Sequence, residues 1–116
     1  MVAHDRKMST QWANVDIGAT GAPTIAAGNA SSDFGITRTG PGTYDLVFRP
    51  GLAGLHPDVR LKSAAKTVTT YVVTAFSPTA GTATIKTLLG STGADTDPAN
   101  GDALSITVEL LPHKDG

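Results

Sequence analysis

The sequence predicts an all-β fold: a two-sheet jelly-roll or other Greek-key sandwich of about eight short antiparallel strands, preceded by an N-terminal arm. Three observations lead there. Threonine, valine and isoleucine recur in short runs, and their stiff, branched side chains suit strands better than helices. The 13 glycines and 7 prolines cut the chain into short pieces, as turns do in sandwiches and barrels. Several pieces alternate apolar and polar residues with the period of two that a half-buried strand requires, and none shows a convincing long helical pattern.

Residues 1–11 are polar and mixed in charge, which predicts an arm ahead of a single sandwich domain over residues 12–116. WANVDI (12–17) is the first strand candidate and Thr24 to Ala27 a short second, with a turn between them and a loop, GNASSD, at 28–33. GITRTGPGTYDLVF (35–48) reads as a hairpin. Phe34 and Ile36 on one strand and Tyr44, Leu46 and Phe48 on the next share a face, so these five form the expected hairpin core. Arg38 and Asp45 are expected near one another across it. The longest stretch without glycine or proline runs from Asp58 to Ser77. Its first half, DVRLKSAAK, fits a strand or a helical turn. Its second half, TVTTYVVTAF, is apolar or threonine on both faces, as expected of a strand covered on both sides. TATIKTL (82–88) is a further strand, and residues 90–103 are a long loop. In the last strand, LSITVEL (104–110), Leu104, Ile106, Val108 and Leu110 point inward and Ser105, Thr107 and Glu109 outward.

Composition excludes more functions than it suggests. A chain of 116 residues with 40% hydrophobic residues can bury a core without staples. It has no cysteine, which removes disulfides, thiol nucleophiles and cysteine-ligated zinc together. Nine basic against ten acidic residues leave no basic field for nucleic acid. No apolar run approaches the roughly 20 residues that span a bilayer. The start, MVAHDRKMST, has no apolar signal-peptide core, which predicts synthesis in a cytoplasm. Only 16% of residues are charged, a composition that favours contact with other protein chains.

Catalytic constellations are not evident. His4, His56 and His113 lack metal-pair spacing and read as surface histidines. No strand–elbow–helix serine motif occurs, and the carboxylates are scattered, so the chain is read as a non-enzyme. In GADTDPANGD (93–102), Asp95, Asp97, Asn100 and Asp102 offer oxygens, but the helix–loop–helix calcium pattern fails at its glycine position. A turn-rich loop whose side chains bind their own backbone is the better reading, so no metal or other cofactor is expected. Asn29-Ala30-Ser31 matches the glycosylation acceptor by chance, and Arg60, Lys62 and Lys66 read as a solvated basic cluster. Trp12, the lone tryptophan, suits a core position and an interface anchor equally.

The hairpin positions Ile36, Arg38, Gly40, Gly42, Tyr44, Leu46 and Phe48 resemble a recurrent small β domain, which TYVVTAF (70–76) and GDALSITVEL (101–110) match more loosely. The resemblance is to the jelly-roll modules of tailed-bacteriophage structural proteins, capsid decoration proteins and head or tail fibres, which are similar in fold to the tumour necrosis factor-like jelly roll. It implies a virion protein on the outer surface of the capsid: a homotrimeric cement protein whose partners are itself and the major capsid protein, with no nucleic acid and no membrane. The alternative is a receptor- or glycan-binding fibre tip, against which the 5% aromatic content weighs. Within the first reading, His4, Arg6, Lys7 and Trp12 are the expected capsid-docking residues, and Tyr71 and Val73 the expected trimer interface.

Overall fold

The computed structural model describes residues 9–54, 57–62, 68–89 and 92–111. They form two antiparallel sheets with a shared apolar interior, and no α-helix occurs among them. The strands are β1 (Ser9–Ile17), β2 (Pro23–Thr24), β3 (Gly35–Gly40), β4 (Thr43–Val47), β5 (Ala53–Gly54), β6 (Asp58–Lys62), β7 (Val68–Ser77), β8 (Thr82–Leu89) and β9 (Ala103–Leu111). A single 3-10 turn, Ala19–Gly21, separates β1 from β2.

The first sheet is built on β9. β1 lies along one side of it, with Ser9 opposite Leu110 and Asp16 opposite Ala103. β5 and β6 follow one another along its other side, with Ala53 opposite Leu111 and Lys62 opposite Ala103. The second sheet has the order β3-β4-β8-β7. Each sheet turns its alternate residues inward, as the pleat demands. Ala13, Val15 and Ile17 meet Leu104, Ile106, Val108 and Leu110 and Val59 on one side of the core; Tyr44, Leu46, Phe48, Ala83 and Ile85 close it from the other. Burial of each large apolar side chain contributes about 1.5–3 kcal/mol.

The hairpin face expected from the sequence is present. Ile36 lies opposite Leu46. Tyr44, Leu46 and Phe48 are buried, and Phe34 and Ile36 pack against them half-buried. The four inward residues of β9 are likewise buried, and Glu109 is exposed. Only one of the two turn glycines is constrained. Gly42 has φ +63°, and a Cβ there would lie 2.6 Å from Thr96 N and 2.7 Å from Thr87 O. Gly40 has open space around it.

Three expectations change and one open reading is resolved. β1 begins at Ser9, so residues 9–11 belong to the sandwich and not to an arm; residues 1–8 lie outside those described. The second strand is Pro23–Thr24, not Thr24 to Ala27, because it pairs only with Asp16 and Ile17. The ambiguous segment after Pro57 is strand over Asp58–Lys62. β7 is covered on one face only: Tyr71 and Val73 face the core, while Val72 on the outer face is 42% exposed.

The start of β1 is held by an unusual polar contact. Gln11 occupies an inward position and is only 4% exposed. Its side-chain amide acts as a peptide: Nε2 donates to Arg49 O at 2.8 Å and Oε1 accepts from Arg49 N at 2.8 Å. This pairs β1 with the chain leaving β4, across the two sheets. Gln11→Ala removes both bonds and is expected to cost about 1–3 kcal/mol, read as a lower denaturant midpoint at unchanged slope.

Candidate interaction surface

The registers place the connections at two ends. At one end lie Ser9, Leu111, the chain around Arg49 and the turn at Pro78 to Gly81, tied by Leu52 N to Leu111 O and Gly51 N to Pro78 O, each 2.9 Å. At the other lie the 3-10 turn, the Pro41-Gly42 turn and the loop at 92–102. Ile17 N donates to Asp102 O at 2.9 Å and Gly101 N to Ile17 O at 2.8 Å.

Asp97 joins this loop end. Arg38 Nε donates to its Oδ1 at 3.0 Å and Arg38 Nη2 to its Oδ2 at 2.8 Å. Gly42 N also donates to Oδ1, at 2.7 Å. Gly21 lies so close that a Cβ there would come within 2.5 Å of the Asp97 Cγ. Tyr44 Oη donates to Gly21 O at 2.8 Å. One carboxylate thus connects β3, the hairpin turn and the turn after β1. The bidentate geometry is the strong form of an arginine–carboxylate pair.

These contacts set the protonation behaviour. The hydrogen bonds from Arg38 hold the Asp97 carboxyl below the usual range, against the opposing effect of burial. The same hydrogen bond raises the Arg38 guanidinium. Burial, reinforced by the nearby Asp97 charge, pushes the Tyr44 phenol up to about 12.

Arg38 therefore does not meet Asp45. In a strand pair, directly opposed residues share a face, and Arg38 is opposite Tyr44 while Asp45 is opposite Thr37. Arg38 points toward the interior side and Asp45 outward, where it accepts from Thr84 Oγ1 at 2.9 Å. The loop carboxylates go to separate partners. Asp95 takes Lys86 Nζ at 3.0 Å, and Asp102 Oδ2 accepts from Ala99 N at 2.9 Å in a local turn. Among the described residues no cluster of three metal-ligating side chains occurs.

The docking candidates divide. His4, Arg6 and Lys7 lie outside the described residues, as do His56, Lys66 and His113. Trp12 is on the outer face of the first sheet and 37% exposed. It sits opposite Thr107, and its backbone N donates to Ser31 Oγ at 3.0 Å. That bond engages the hydroxyl of the Asn29-Ala30-Ser31 sequence. Tyr71 and Val73 pack on the core and remain half-buried. Arg60 is highly exposed and lies 3.8 Å from Asp58. A shallow cavity of about 180 Å³ lined by Thr10, Gln11, Ser31, Ser32 and Arg49 opens at the terminal end.

Among the described residues the exposed large apolar groups are Trp12 on one sheet, Val47 and Val72 on the other, and Leu52 in the connection after β4. Comparison of the chain with protein-family models, curated proteins and solved structures finds no match.

Two titrations follow from the loop end. A carboxylate whose folded pKa is depressed adds stability that is complete above its unfolded pKa of about 4 and is lost as pH falls through the lower folded value. Asp97→Asn should therefore be less stable than the parent at neutral pH and should show a shallower loss of stability in acid, measured by denaturant midpoints across pH. For Tyr44 the sign is opposite in range. Its raised folded pKa favours the neutral phenol, so its contribution is complete below the unfolded value of about 10 and is lost as pH rises toward about 12. Tyr44→Phe should lose about 0.5–1.5 kcal/mol at neutral pH with its hydrogen bond and should lack that alkaline decline.

Proposed function

We propose that this chain is a non-enzymatic structural protein of a tailed-bacteriophage particle, a capsid decoration protein that self-associates as a trimer and binds the outside of the assembled shell. The observation that carries this reading is the arrangement of ends. The first and last described strands pair side by side, Ser9 against Leu110, so the chain enters and leaves at one end of the sandwich. The other end is closed by loops pinned through Asp97. Such a body can be held by one end and present the rest of its surface.

The jelly-roll assignment within this proposal is supported by nested pairing. β1 pairs with β9 and β4 with β8; β6 then lies beside β9 and β7 beside β8. This is the order produced when a long hairpin is rolled across two sheets. The hairpin residues Ile36, Arg38, Gly42, Tyr44, Leu46 and Phe48 carry the family resemblance, and the low charge of the chain suits a surface that lives against other proteins. The major capsid protein and further copies of the chain are the partners; nucleic acid, membrane and cofactor have no role in the mechanism. The site of action is the virion surface. Binding only the assembled shell stabilises it by mass action, and a trimer on a local three-fold axis bridges several subunits.

Decoration is favoured over the glycan-binding fibre tip by the aromatic residues, all of which are described: only Trp12 is exposed, and it is not at the loop end. His4, Arg6, Lys7 and Trp12 are the proposed docking group.

The test combines mass and occupancy. Light scattering should give a mass that is a whole multiple of three chains, and a variant lacking residues 1–8 should keep β1, fold, and fail to occupy shells. Undiminished occupancy removes the docking role of the segment, and a monomer at high concentration removes the trimer.

A further inference from the structure

Among the described residues the two sheets have four edges, and three of them are blunted. An open strand edge is a template for pairing with another chain, and charges, proline, glycine, bulges and short length are the devices that prevent it. β2 is two residues long and opens with Pro23. β3 begins and ends with glycine, carries Arg38 and is bulged between Arg38 and Gly40. The line formed by β5 and β6 carries Asp58, Arg60 and Lys62.

β7 differs. It has ten residues, VTTYVVTAFS, with no charge, no proline and no glycine. Among the described residues it pairs with β8 alone. Register shifts between Val68 and Thr70 and between Val73 and Ala75 frame a regular stretch, Thr70 to Val73. Val72 faces outward and is 42% exposed; Tyr71 and Val73 face inward and retain part of their surface.

We propose that the β7 edge pairs with the β7 edge of a second copy of this chain about a two-fold axis, joining two four-stranded sheets into one. The occupant follows from the charge pattern. A strand without charge meets its own copy with no like-charge repulsion, whereas a charged segment finds nothing here to pair with. Centred on Val72, the pairing sets Val72 against Val72 and Tyr71 against Val73 of the other copy. Directly opposed residues share a face, so these are β-branched and aromatic–aliphatic pairs, each of a kind that stabilises neighbouring strands. The pairing covers the half-buried surfaces of Tyr71 and Val73 that the monomer leaves open. The contact is isologous and closes at two copies, and the flanking bulges limit the length of the pairing. This inference rests on the self-association in the preceding reading but not on its three-fold symmetry, since two-fold edges would link one unit to the next.

Two variants test it. The chain has no cysteine, so in Val72→Cys every disulfide joins two copies at that position. Val47→Cys is the control, because Val47 is 53% exposed on the same sheet but lies on β4, away from the edge. Under mild oxidation Val72→Cys should convert to covalent dimer well ahead of the control. Val72→Lys, with its side chain directed to solvent, should keep the β-sheet circular-dichroism spectrum of the parent and halve the mass seen by sedimentation at high concentration. Equal cross-linking of the two cysteine variants, or an unchanged mass for Val72→Lys, overturns the proposal. The mass to which Val72→Lys falls separates the readings: three chains leaves the trimer intact, and one chain removes it while keeping the edge.

Discussion

The pairing of β1 with β9 is the constraint on which the rest of the molecule depends. It joins the beginning of the described chain to its end over eight successive residue pairs, from Ser9–Leu110 to Asp16–Ala103. Contacts of such sequence separation carry a large loop-closure cost, which only the apolar layer between the sheets can offset. With β9 fixed, β5 and β6 have a strand to line up on, and the alternate residues of β1 and β9 form one wall of the core. The other wall, β4 and β8, is more local in origin, because the β3–β4 hairpin and the β7–β8 hairpin each bring neighbouring strands together.

Polar groups then decide how the two walls are joined at their ends. At the terminal end the joint is the Gln11 amide against the Arg49 peptide. At the loop end it is Asp97, which satisfies an inward-facing guanidinium and a turn N–H together. Both follow from the same rule. A polar group placed on the core side of a strand needs a complete set of partners or it destabilises the fold. The buried hydroxyl of Thr87 obeys it too, donating to Thr96 O at 2.7 Å. No side-chain nitrogen or oxygen buried among the described residues lacks a partner.

What could be read from the sequence was what the pleat alone determines. The Phe34–Ile36 and Tyr44–Leu46–Phe48 face and the inward set of β9 are written as strict alternations of large apolar residues. The first strand was read three residues short because Gln11 is polar at a buried position, and its role depends on a peptide 38 positions away. The Arg38–Asp97 pair spans 59 positions and was missed in the same way. Yet a signal existed: Arg38 continues the inward alternation of Phe34 and Ile36, and an arginine on that face calls for a carboxylate from elsewhere in the fold. The outer face of β7 was misjudged because valine and threonine look alike whether they meet solvent or another layer of protein, and they look alike too whether the strand is central or at an edge. Its neighbours, not its composition, make it an edge.

That ambiguity has a physical counterpart. A strand whose two faces are both acceptable to protein contact is also one that tolerates either solvent or another chain beside it. The remaining edges are protected by length, charge or glycine, and the chain carries little charge elsewhere to keep copies apart. The bulges flanking Thr70 to Val73 restrict any partner on this edge to a short pairing. The short regular stretch of β7 supplies contact, and the bulges on either side supply its limit.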